Sequence, residues 1–121
     1  MKEEKAKAEI LICEKKLSDI REIQISNEVR YKEIKEKIMR LENKLSRLSA
    51  KAALKEIPIS QTDQAKQELN KLENQLKEIA ILLKGLKLEE PHYLERISQA
   101  NRILGSALCD LEQKVVNSKQ K

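Results

Sequence analysis

Six cationic side chains recur between residues 37 and 55, on one side of the helix predicted for residues 1–56. We name them the basic stripe: Lys37, Arg40, Lys44, Arg47, Lys51 and Lys55. At about 100° per residue they fall within about 80° of arc, and Glu42 is the only acidic residue between Arg40 and Lys55. Two interpretations compete: the stripe binds phosphates or an acidic partner, or its cations pair with acidic side chains of a neighbouring helix. We favour the second, because nucleic-acid modules usually add aromatic stacking or a wider basic field.

Residues suited to catalysis or metal binding are few and scattered. His92 is the single histidine, and the two cysteines, Cys13 and Cys109, lie far apart in the sequence. A catalytic base or nucleophile needs a tuned partner, and a zinc or disulfide framework needs closely spaced cysteines. With two glycines the chain also has no glycine-rich phosphate loop. We therefore expect a protein that is not an enzyme and uses no metal or cofactor, with Cys13 packed as a small apolar residue.

The composition is typical of long helices. Charged residues make up 37% of the 121 residues and aromatic residues 2%, and the net charge is +5 with both signs interspersed. The longest apolar run, residues 79–83, is far shorter than the roughly 20 residues of a membrane span. The N-terminal residues lack the apolar core of a signal peptide. These features predict a cytoplasmic or nuclear chain in a reducing compartment.

The elements that must position these side chains are predicted by heptad spacing. We name as seam 1 the fourteen residues that alternate in steps of four and three: Ala6, Ile10, Cys13, Leu17, Ile20, Gln24, Asn27, Tyr31, Ile34, Ile38, Leu41, Leu45, Leu48 and Ala52. Such spacing indicates a coiled-coil helix over residues 1–56. It ends before Pro58, because a residue preceding proline is pushed out of the helical region.

Two shorter helices are predicted after a linker at residues 57–63. The first carries a heptad stripe of Ala65, Leu69, Leu72, Leu76, Ile79, Leu83 and Leu86. The second begins at Glu90–Pro91, since proline suits a first helical position, and its stripe is Leu94, Ile97, Asn101, Leu104, Leu108, Leu111 and Val115. The predicted fold is all-α: an elongated three-helix antiparallel bundle in which residues 64–121 form a helical hairpin that completes the bundle.

Helix lengths divide the first helix into two parts. At about 1.5 Å per residue the hairpin covers only its C-terminal half, so residues 27–56 pack in the bundle and residues 1–26 project beyond it. The intramolecular part of seam 1 is then Tyr31, Ile34, Ile38, Leu41, Leu45 and Leu48. The part predicted to contact a partner or a second copy is Ile10, Cys13, Leu17, Ile20, Gln24 and Asn27.

A long helix followed by two shorter ones resembles three-helix modules such as BAG domains, spectrin repeats and syntaxin-type N-terminal bundles. The resemblance is one of architecture. A spectrin repeat carries a core Trp in its first helix, and the chain has no Trp. The stretches LLKGLKL and PHYLERISQANR fit the helix ends of a BAG domain poorly. We assign no family.

The expected function is binding through helix packing. We expect a non-enzymatic coiled-coil scaffold or adaptor that mediates protein–protein association or oligomerisation, with another helical protein, itself or both, in a cytoskeletal or comparable complex. The alternative is a compact monomeric helical adaptor that binds an acidic protein, anionic lipid or nucleic acid through the basic stripe, with nucleic acid the least expected of these. A third possibility is that all the helices straighten and pair along their length with another chain.

Overall fold

The computed structural model describes the backbone of residues 2–119 and the side chains of residues 2–105. Within residues 2–119 the backbone forms two long helices that pack against each other, and no strand. Helix α1 is Lys2–Ala53 and helix α2 is Gln61–Lys119. The all-α prediction is therefore confirmed. No described helix is apolar over a long enough stretch to cross a membrane.

Helix α1 is long because nothing in its sequence interrupts it. It contains no proline or glycine, and it carries Glu3 and Glu4 in the first turn and Lys51 in the last, which complements the helix dipole. All fourteen positions of seam 1 are buried or half-buried. The heptad spacing thus places a continuous inward face along the helix.

The end of α1 is closed by a Schellman motif. The Lys55 amide donates to the Ala52 carbonyl at 3.0 Å, and the Glu56 amide donates to the Lys51 carbonyl at 2.9 Å. Lys55 occupies the left-handed region with φ 60°, a conformation that usually selects glycine. Helix α2 then begins at Gln61, whose amide donates to the Pro58 carbonyl at 3.1 Å.

The predicted three-helix bundle is not confirmed, because α2 continues through the expected break. Pro91 lies inside α2. Residues of α2 that alternate in steps of three and four remain buried or half-buried on both sides of it, and we name them seam 2: Thr62, Ala65, Leu69, Leu72, Leu76, Ile79, Leu83, Leu86, Glu90, Tyr93, Ile97, Ala100 and Leu104. The predicted third stripe included Leu94 and Asn101, but both are exposed. Because seam 2 keeps its register across Pro91, packing against α1 favours one continuous helix.

The chain divides into two compact units. Unit 2 is Gln24–Gly85. Its core is a cluster of Ile34, Ile38 and Ile79, against which further partly buried residues pack: Tyr31, Leu69, Leu72, Leu76 and Leu83. Isoleucine side chains from both helices thus form the centre of this unit.

Unit 1 is Met1–Ile23 together with Leu86–Lys121. Its most buried apolar side chains among the described residues are Ala6, Cys13, Ile20 and Ala100. The sequence predicted that residues 1–26 project, and the structure instead groups residues 1–23 with the second half of α2. The physical reason is the continuity of α2: one long helix reaches farther along α1 than two short ones.

Candidate partner-binding surfaces

An apolar groove lies on the surface of unit 2. We define the apolar groove by Ile25, Val29 and Tyr31 of α1 and Ala80 and Leu83 of α2, which together with Glu28 and Lys32 line an open cavity of about 490 Å³. Ile25 and Val29 lie outside seam 1 and are 55% and 53% exposed. Exposed aliphatic residues beside a filled seam form a surface that a further apolar side chain or helix can cover.

Sequence reasoning did not select Ile25, Val29 or Ala80 as interface residues. Heptad spacing selects the residues of seam 1 and omits the residues beside it. Ile25 and Val29 are two such residues, one helical turn apart. A signal was present in the sequence of α2, whose stretch IAILL, residues 79–83, is apolar on several faces. A helix that is apolar on several faces is buried on more than one side.

The predicted partner residues lie inward in the structure. Cys13 and Ile20 are buried, and Ile10 and Leu17 are half-buried, all within unit 1. Gln24 and Asn27 are half-buried in unit 2. The intramolecular residues divide similarly: Ile34, Ile38 and Leu41 are buried, and Tyr31, Leu45 and Leu48 are half-buried.

The basic stripe lies on the exposed surface of unit 2. All six of its residues are exposed. Arg40 forms an ion pair with Glu36 on its own helix, at 3.8 Å between Nη2 and Oε2, and both side chains remain mostly in solvent. Among the described residues no ion pair joins the stripe to α2, although Glu68 shares a shallow cavity of about 280 Å³ with Lys37, Arg40 and Lys44. The geometry therefore favours an outward-facing cationic surface over pairing with the neighbouring helix.

A polar cluster crosses the two helices of unit 1. Both Nε and Nη2 of Arg96 contact Oε1 of Glu9, and the Cys13 thiol donates to the same oxygen at 3.6 Å. The Arg96 guanidinium also lies over the Tyr93 ring, 5.5 Å from its centroid. His92 contacts the Tyr93 ring edge-to-face, with 5.2 Å between centroids. The cluster links the start of α1 to the second half of α2.

The charge states in this cluster follow from its contacts. The hydrogen bond from Arg96, together with its charge, holds the pKa of the Glu9 carboxyl below its ordinary value. The hydrogen bond to Glu9 raises the pKa of the Arg96 guanidinium. Burial raises the pKa of the Cys13 thiol. The thiol is therefore protonated at neutral pH, which is the wrong state for a nucleophile or a metal ligand.

No cluster of three or more metal-ligating side chains occurs among the described residues. Cys109 lies outside the residues whose side chains are described. A cavity of about 420 Å³ opens in unit 1 beside two small seam residues, Ala6 and Ala100, and Lys2 and Lys5 also line it. Comparisons with protein-family models, with curated proteins and with solved structures give no match.

Proposed function

We propose that the protein is a non-enzymatic coiled-coil scaffold or adaptor that associates through its apolar groove with a further helix, in the simplest case from a second copy. The observation that carries this proposal is the exposure of Ile25 and Val29 beside a seam that is already filled. Seams 1 and 2 are used within the chain, and the groove is an apolar surface of unit 2 that they leave uncovered.

A helix is the occupant that best matches the groove. The groove is open and is lined by both α1 and α2. A helix laid between two antiparallel helices buries its apolar face in the manner of a bundle. The three-helix arrangement expected from the sequence is then completed by a partner.

The test is mass measurement by light scattering at several concentrations, with a matched pair of substitutions. Ile25→Asp places a charge in the apolar groove and should convert the oligomer to monomer. Ile12→Asp is the control, because Ile12 is the same residue type on the same helix and is 51% exposed against 55% for Ile25. A wild-type chain that is monomeric up to about 100 μM, or two variants that behave alike, would exclude the groove as a self-association surface.

The second candidate function is a monomeric helical adaptor that binds an anionic partner through the basic stripe. The exposed, outward-facing cations of the stripe favour it. Electrostatic binding of this kind weakens steeply with salt, whereas apolar helix packing does not. Salt dependence therefore separates the two functions.

A further inference from the structure

Two large apolar side chains stand exposed where the chain turns between α1 and α2. Leu54 is 70% exposed and Ile59 is 74% exposed. Connecting segments usually carry small or polar residues at such positions. We name this feature the interhelical tip, meaning residues 54–60, all within unit 2. Leu54 and Ile59 have no evident packing role among the described residues, whereas Ile57 between them is half-buried.

The tip joins directly onto the basic stripe. Leu54 follows Arg47 by seven residues, and its amide still donates to the Ala50 carbonyl at 3.0 Å, so its side chain continues the helical face of the stripe. Lys51 and Lys55 flank it in sequence, and Glu56 is the one acidic residue between Lys44 and Ser60. The tip thus combines exposed aliphatic side chains with a surrounding set of cations.

The tip is held in place by hydrogen bonds. The Thr62 hydroxyl donates to the Ile59 carbonyl at 2.6 Å, and the Thr62 side chain is buried at the start of seam 2. The Schellman motif fixes the other side of the tip. Ile59 and Leu54 are therefore presented on an ordered turn, which lowers the entropy lost when they bind.

Lys55 occupies a backbone conformation that would suit glycine better. A left-handed conformation costs a residue with a Cβ roughly 1–2 kcal/mol. The chain places a long cation at this strained position, beside the exposed Leu54. The Schellman motif accounts for this conformation, and the Lys55 side chain remains exposed.

We propose that the interhelical tip docks on the surface of an anionic lipid bilayer. Leu54 and Ile59 enter the boundary between headgroups and acyl chains, and Arg47, Lys51 and Lys55 contact the anionic headgroups. This inference narrows the second candidate function to one partner and is independent of the apolar groove. A nucleic acid fits the tip less well, because single-strand sites stack bases on aromatic side chains and the tip carries none.

Vesicle sedimentation with the full chain tests the proposal. The protein should sediment with phosphatidylcholine vesicles that contain about 30% phosphatidylserine, and sediment far less with phosphatidylcholine alone. The double variant Leu54→Ser/Ile59→Ser should lose at least about tenfold in partitioning. Its matched control is Leu88→Ser/Ile81→Ser, the same residue types at 69% and 72% exposure, which should bind as wild type.

The electrostatic part has its own pair of variants. Arg47→Gln/Lys51→Gln should lower partitioning by about fivefold per cation removed. Arg21→Gln/Lys15→Gln removes the same charges from exposed positions of unit 1 and should have little effect. Lys55→Gly should raise the urea midpoint, because it relieves the left-handed strain, while it weakens vesicle binding.

A fluorescence readout reports insertion itself. The chain has no Trp, so an Ile59→Trp variant carries one unambiguous probe. Its emission should shift to the blue on addition of phosphatidylserine vesicles, whereas that of Ile81→Trp should not. Equal loss of binding in the tip and control variants, or equal binding to neutral and anionic vesicles, would overturn the proposal. So would absence of binding at low salt, or binding to RNA in preference to vesicles.

Discussion

The cluster of Ile34, Ile38 and Ile79 gives the most direct test of the packing in unit 2. Ile79 is 5% exposed and lies at its centre. The substitution Ile79→Ala removes carbon atoms worth about 0.8 kcal/mol each, about 2.4 kcal/mol in transfer free energy. A residual cavity adds to this destabilisation, and the higher helix propensity of Ala offsets about 0.4 kcal/mol of it. We expect the free energy of unfolding to fall by about 3 kcal/mol.

The assay is urea denaturation followed by far-UV circular dichroism. With a slope of about 1.5–3 kcal/mol per molar urea, the midpoint should fall by about 1–2 M. The control is Ile81→Ala, the same substitution two residues away at a position that is 72% exposed. It should change the free energy of unfolding by less than about 0.5 kcal/mol. Similar losses in both variants would refute the assignment of Ile79 to the core and the orientation of α2 that follows from it.

Three further outcomes test other parts of the structure. Pro91→Ala should raise the free energy of unfolding by about 1–3 kcal/mol, because it restores a hydrogen bond inside α2; an unchanged urea midpoint would indicate that the helix breaks before Pro91. The pKa of Glu9 is lowered by Arg96, so the stability from this pair is present above the ordinary carboxyl value of 4.5 and is lost as pH falls through the lowered pKa. Glu9→Gln should therefore show a smaller loss of urea midpoint between about pH 6 and pH 3 than wild type, and an equal loss would contradict the pairing. In a Cys109→Ser variant, an aromatic disulfide reagent should label Cys13 only on unfolding, since Cys13 has 0% exposure; rapid labelling of the folded protein would show that unit 1 opens.

The sequence was most informative where one periodicity ran without interruption. All fourteen positions of seam 1 lie inward, because a helix without proline or glycine carries a heptad pattern to one face whatever covers it. The predicted stripe position Ile79 is likewise buried, whereas Ile81, two residues away and outside the predicted stripe, is exposed, since residues two apart on a helix face different directions. The end of α1 was predictable to a few residues from Ile57–Pro58.

Local signals misled where tertiary packing outweighed them. Proline is favourable at the first position of a helix and unfavourable in its interior. The sequence around Pro91 therefore predicted that a new helix begins at Glu90, within what is α2 in the structure. The continuous register of seam 2, with Glu90 and Tyr93 inward, was the sequence signal for one helix. This signal decides the structure only when α2 packs against α1. Burial of seam 2 over many turns then offsets the cost of about 3 kcal/mol for a proline inside a helix.

The sequence alone determined which face of each helix is apolar and must be buried, because side-chain periodicity is a property of the helix itself. The tertiary structure decided which element packs against each apolar face. The continuity of α2 buries Cys13 and Ile20 within unit 1, in place of the predicted overhang. Ile25, Val29 and Leu54 remain exposed. Packing against a particular neighbour depends on residues distant in sequence, and spacing along one helix cannot encode it.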